Sequence, residues 1–138
     1  MLEQITGFFF LFILSQQVLI GAITKVVVPS IYKEFEGKEL PDWLTNEATK
    51  TKYGYETFLY QRTDPSAPNY VRNRGTEGSV YLRYIIDHYD SFPDYAIFVH
   101  AFPEGHSPDW LELISCLQPT ATYININFQY YNRSPLIW

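Results

Sequence analysis

The sequence predicts an α/β fold: a single Rossmann-like domain with a mostly parallel sheet of about four strands, preceded by an N-terminal hydrophobic helix. Three observations predict it. Short apolar runs, such as Val26-Val27-Val28 and Ala96-Ile97-Phe98-Val99, read as strands buried on both faces. Segments with helical spacing or helix-boundary residues lie between such runs. The order is therefore β-α-β-α-β-α-β, in which crossover helices join parallel strands. Finally, 138 residues fit one domain.

Residues 1–23 differ in kind from the rest. ITGFFFLFIL at 5–14 is followed by Ser15-Gln16-Gln17 and then VLIGAI at 18–23. At 1.5 Å per helical residue, 5–23 would extend roughly 28 Å, close to a bilayer core. The polar interruption weakens a span, whereas an apolar run followed by Gly21-Ala22 suits a signal peptide with a small-residue cleavage site. The start lacks Lys and Arg and carries Glu3, so charge gives no orientation. A buried core helix is disfavoured, because residues 5–14 have no polar face to orient them. Residues 1–23 are expected to be a signal peptide or membrane anchor, which places the protein at a membrane or in the secretory pathway. Residues 24–138 are expected to form the α/β domain.

Strand one is expected at 24–31, TKVVVPSI, a β-branched run stopped by Pro29. Lys33-Glu34-Phe35-Glu36-Gly37 forms a polar loop. Pro41-Asp42 opens a helix, since proline fits a first turn and an acid there suits the helix dipole. Trp43, Leu44 and Ala48 give it an apolar stripe, and Gly54 is its C-cap. Strand two is expected at 56–62, ETFLYQR, and a proline-marked loop at 63–69. The turn Asn73-Arg74-Gly75-Thr76-Glu77-Gly78 feeds the clearest helix, 80–89. Tyr81, Tyr84, Ile85 and His88 share one side of it, with Leu82, Ile86 and Tyr89 adjoining, and Ile85 is expected to be buried against the sheet. Strand three is 95–100. A last helix has Ser107 as N-cap and Pro108 in its first position, and runs through Trp110, Leu113, Ile114 and Leu117 to Pro119. Residues 122–130 alternate apolar and polar, as in a strand with one wet face near a sheet edge.

Composition bounds the function. The net charge is −5 and no basic run exceeds a few residues, so a nucleic-acid surface is not expected. Twelve Tyr and ten Phe place many amphipathic rings at the core boundary or along a cleft. Cys116 is the one cysteine; it has no partner for an internal disulfide and is expected to be buried on a helix as a small hydrophobe.

In open α/β sheets ligands bind outside the carboxyl ends of the strands. Residues 29–36, 62–69 and 100–106 arrive there. In AIFVHAFPEGH, residues 96–106, a buried run delivers His100, Glu104 and His106 within seven positions. His100 and Glu104 suit acid/base chemistry, and His106 suits ligand contact. The same three are the metal-ligand candidates for a divalent ion, although Pro103 and Gly105 exclude the regular helix of common zinc motifs. The bland alternative is a polar loop ending a strand. Asn73 and Gly75 precede a helix start whose free N–H groups favour an anion; their bland alternative is an ordinary tight turn. Glu34 and Glu77 are further acids available for ligand contact, and His88 reads as structural.

The stretch NRGTEGSVYLRYIIDHYDSFPDYAIFVHAFPEGH resembles the signature of the family named domain of unknown function 3431. That signature has an N-x-G-x-E turn, a YL-x-x-II-x-x-Y helix, an LPDY-like break and a strand ending in F-x-H or F-x-Q. The likeness covers about residues 25–128 and is most specific in its central third. The VVVP strand, the N-x-G turn before a helix and the strand ending in a polar loop are also similar, more faintly, to the plan of GT-A glycosyltransferases. That resemblance implies a sugar nucleotide or glycan as ligand. In those enzymes the corresponding strand end carries an Asp-x-Asp that holds metal and diphosphate; here it reads Phe98-Val99-His100-Ala101. GT-A domains also have a further acceptor half, so residues 24–138 are expected to be a fragment or a diminished relative. The leading expectation is a glycosyltransferase-like protein; the alternative is a non-catalytic carbohydrate- or protein-binding module. A metal hydrolase would need His100, Glu104 and His106 to converge.

Overall fold

A computed structural model describes residues 23–126. The expected hydrophobic helix of residues 1–23 lies outside them, apart from Ile23. No helix among the described residues is long and apolar enough to cross a membrane.

The architecture is α/β, built on a three-stranded parallel sheet. Strand β1 (Lys25–Ser30) is followed by two short helices, α1 (Asp42–Thr45) and α2 (Glu47–Tyr53), and by β2 (Glu56–Thr57). Helix α3 (Thr76–Asp87) then leads to β3 (Tyr95–His100), a 3₁₀ turn (Pro103–Gly105) and α4 (Trp110–Ser115). The strand order is β2-β1-β3, with both pairs parallel.

Alternation along β1 and β3 divides the core between the two faces of the sheet. Val27, Ile97 and Val99 pack with Trp43, Leu44, Tyr55, Trp110 and Ile114, so α1, α2 and α4 cover one face. Val26, Val28, Ala96 and Phe98 pack with Tyr60, Val80 and Tyr84, so α3 covers the other. Several tyrosines sit at the core boundary as their chemistry requires. The hydroxyls of Tyr55, Tyr60 and Tyr81 donate to the Trp43 carbonyl, the Asp87 carboxylate and the Val99 carbonyl.

Several expectations are corrected. Among the described residues three strands are present, not four: residues 122–126 form no strand, and 127–130 lie outside the described residues. Tyr123 and Ile124 are exposed, and Ile126 alone of the three packs on the core, so the apolar residues of this alternation do not share one buried face. The helix expected from Pro41 to Gly54 is two helices, because Asn46 caps the second. Its Oδ1 accepts from the backbone N–H groups of Ala48 and Thr49 at 2.9 and 3.3 Å. Trp43 and Leu44 are buried but Ala48 is exposed, since it belongs to the second helix. Gly54 is the C-cap as expected, with φ 67°.

Strand two is shorter than residues 56–62. The Phe58 N–H still donates to Val27 O at 2.9 Å; beyond it the chain leaves β1, and Gln61 bonds instead to the 69–71 segment, through Asn69 O at 3.0 Å and Val71 N at 2.9 Å. Helix α3 begins at Thr76 and buries Val80 and Tyr84; Ile85 is only half-buried, while Leu82, Ile86 and Tyr89 are exposed. The i,i+4 pair 80/84 faces the sheet, which rotates Ile85 towards its margin. Ser107 does not cap α4 with its side chain. Its buried Oγ has no hydrogen-bond partner among the described residues, and its carbonyl accepts the Trp110 N–H at 3.2 Å. Cys116 is exposed at the end of α4 rather than buried, because Trp110 and Ile114 take the inward face.

Candidate functional site at the carboxyl edge

The same alternation decides which side chains stand at the carboxyl edge. Val26 and Val28 face α3, and so does Ser30; Ala96 and Phe98 face α3, and so does His100. Ser30 and His100 are register partners, the last pair of the β1–β3 ladder. A hydroxyl and an imidazole therefore sit at the ends of adjacent parallel strands. The chain runs from β1 to β2 on one side, then crosses back to β3 on the other, and the ends of the strands at such a reversal are where these sheets take ligands.

The start of α3 closes on this pair. Gly75 is its N-cap in the left-handed region, φ 73°, a conformation that favours glycine. Glu77, in the first turn, places Oε1 3.5 Å from His100 Nδ1, with the two side chains 42% and 55% exposed respectively. Its own backbone N–H and the Thr76 hydroxyl bond the Glu77 carboxyl and hold it below the usual range, with the charges of His100 and Arg62 adding to the effect. Glu77 is thus an ionised partner for Nδ1, which leaves Nε2 of His100 available to a ligand for proton transfer or hydrogen bonding.

The other expected residues divide. His106 lies beside His100, ring centroids 5.2 Å apart and tilted by 34°. Glu104 is exposed on the 3₁₀ turn, and its carboxylate takes no hydrogen bond or ion pair among the described residues. Asn73 is exposed on the turn before Gly75. Glu34 is turned into its own loop, where a carboxylate oxygen accepts the Tyr32 N–H at 2.6 Å. The candidate metal set His100, Glu104 and His106 does not converge: among the described residues no three His, Cys, Asp or Glu side chains cluster to hold an ion. Phe35 and Phe102, in edge-to-face contact at 5.0 Å, join the loops after β1 and β3.

Sequence reasoning missed Ser30 and Arg62. Arg62 is only 7% exposed. It donates to Thr76 O at 2.9 Å and, at 3.4 Å, to the hydroxyls of Ser30 and Ser79. The signal for Ser30 was the parity of strand one, which places it with Val26 and Val28. The signal for Arg62 was a cation at the carboxyl end of the run read as strand two, ETFLYQR.

Comparison with known proteins is consistent with the sequence likeness and adds no chemistry. The family model described as "Protein of unknown function (DUF3431)" matches residues 26–118, from within β1 to just past α4. No curated protein and no solved structure matches the chain.

Proposed function

Taking as premise that the chain belongs to the DUF3431 family, we propose that the carboxyl edge of its sheet binds a sugar nucleotide, as in a glycosyltransferase-like protein. The observation that carries this reading is the side-by-side placement of Ser30 and His100, with Glu77 set against the imidazole. A group held on a strand end keeps a fixed position, which binding and proton transfer both need. In this reading the backbone around Asn73 and Gly75 meets phosphate. His100, oriented by Glu77, meets the sugar or the leaving oxygen, and His106 and Glu104 border the sugar side. Residues 1–22 would bring the domain to a membrane or into the secretory pathway.

A second reading, binding of a glycan or protein segment without turnover, is favoured by Glu104. It is the acid expected for catalysis, yet no contact among the described residues holds it in position.

Calorimetric titration of the full chain in detergent, against a panel of sugar nucleotides with and without Mn²⁺, tests the site. His100→Ala should weaken binding at least tenfold, about 1.4 kcal/mol. It should leave the melting temperature nearly unchanged, because the side chain is more exposed than buried. A variant that melts lower but binds as well as wild type would make His100 a structural end to the strand. Release of free nucleotide from a bound donor would separate transfer from binding alone.

A further inference from the structure

We propose that Arg62, with Ser30 and the first turn of α3, forms a subsite for a phosphate-type oxyanion, a diphosphate in particular, that needs no divalent metal. For the source of that diphosphate the proposal rests on the sugar-nucleotide reading above; its own evidence is Arg62.

A guanidinium taken out of water is costly unless an acid compensates it. Arg62 is more than nine-tenths buried, yet no carboxylate lies within ion-pair distance of it among the described residues. Its partners are neutral: one carbonyl at 2.9 Å and two hydroxyls at a weak 3.4 Å. Its Nε is buried with no hydrogen-bond partner among the described residues. Glu77, the nearby acid, feels the charge of Arg62 but makes its closest pairing with His100.

The unmet donor sits where an anion is already favoured. Arg62 bonds the carbonyl of Thr76, the first residue of a twelve-residue helix whose N-terminal cap makes no side-chain hydrogen bond. The helix dipole adds to the guanidinium there, while the Glu77 N–H is taken by the Glu77 carboxyl. Arg72 and Arg74 are exposed on the adjoining turn, so a chain of net charge −5 concentrates three arginines beside one helix start. The planar fork of arginine matches phosphate oxygens in a way that a metal-free site can use. The exposed Tyr32 ring lies 5.9 Å from the Arg62 guanidinium carbon, an aromatic face beside the cation.

The probe is pyrophosphate, titrated calorimetrically and by thermal shift into the full chain in detergent, in EDTA. Wild type should bind it and melt at a higher temperature in its presence. Arg62→Gln should abolish that shift while melting, without ligand, no lower than wild type. Arg62→Lys, which keeps the charge and loses the fork, should fold and bind at least tenfold more weakly. The proposal is overturned by absence of binding to wild type in EDTA, by equal binding to Arg62→Gln, or by unfolding of both variants without ligand. That last result would make Arg62 a brace for the Thr76 carbonyl. Pyrophosphate bound through Arg62 with no sugar nucleotide bound would keep the subsite and remove the sugar-nucleotide reading. Sugar nucleotides bound equally by wild type and Arg62→Gln would do the reverse.

Discussion

At the level of single residues, Asp94 ties together segments seventy positions apart. Its Oδ2 accepts the Thr24 backbone N–H at 2.7 Å and the Thr24 hydroxyl at 2.8 Å, which joins the entry of β1 to the entry of β3. Those two bonds hold the Asp94 carboxyl below its usual range. A depressed folded value stabilises fully above the unfolded carboxylate range of about 4, and the effect is lost as pH falls through the lower folded value. Asp94→Asn should therefore melt below wild type at neutral pH, and the gap should close on acidification past that range. Melting curves across pH decide it; a gap independent of pH would mean that the charge is irrelevant. Cys116 gives a second check. Because it is exposed, a maleimide should label the folded protein stoichiometrically without denaturant. Labelling only after unfolding would return the thiol to the core.

Among the elements, α3 carries both the site and much of the packing beneath the sheet. Tyr84 lies against Phe58 at 5.5 Å and Phe98 at 6.2 Å, and stacks on His88 at 4.2 Å, which gives that histidine the structural role expected of it. Tyr84→Ala should cost about 3–5 kcal/mol, the range for deleting a buried ring. Ile85→Ala should cost less than half of that, because Ile85 is at the margin. Leu82→Ser, on the exposed side, should stay within about 0.5 kcal/mol. Urea denaturation of the three variants orders them; a cost for Ile85 above that for Tyr84 would mean the helix is turned the other way. Periodicity had marked Tyr84 and Ile85 alike as inward-facing, since a ten-residue apolar surface spans more arc than one sheet contact uses. The start of α3 was equally illegible. Gly75-Thr76-Glu77-Gly78 reads as a turn by composition, and packing of Val80 against Val28 draws all but Gly75 into the helix.

In the molecule as a whole, Trp43 and Trp110 meet edge-to-face at 5.5 Å and join the helix after β1 to the helix after β3 over one face of the sheet. Tyr55 packs on Trp110 at 6.3 Å, so three elements close around one indole. Trp110→Ala should cost about 3–5 kcal/mol and lower the cooperativity of unfolding, because Trp43 and Tyr55 both pack on its indole and lose that contact together. Retention of a single sharp transition at unchanged midpoint would place the core elsewhere.

The sequence by itself determined the α/β class, β1 and β3, the C-cap at Gly54, the family and the arrival of His100 at a strand end. These depend on local rules, hydrophobic periodicity and the φ of glycine; Pro29, expected to stop the first run, instead lies within β1 opposite Val99. Only the tertiary structure decided that the sheet has three strands among the described residues, that Ser30 stands beside His100, and that Glu77 rather than Glu104 is its acid. Arg62 likewise became visible as a buried cation only once residues 30, 62 and 76 were brought together. The reason is physical: a strand's neighbours, and the charges left without partners, are set by contacts between segments distant in the chain, and no local pattern records them.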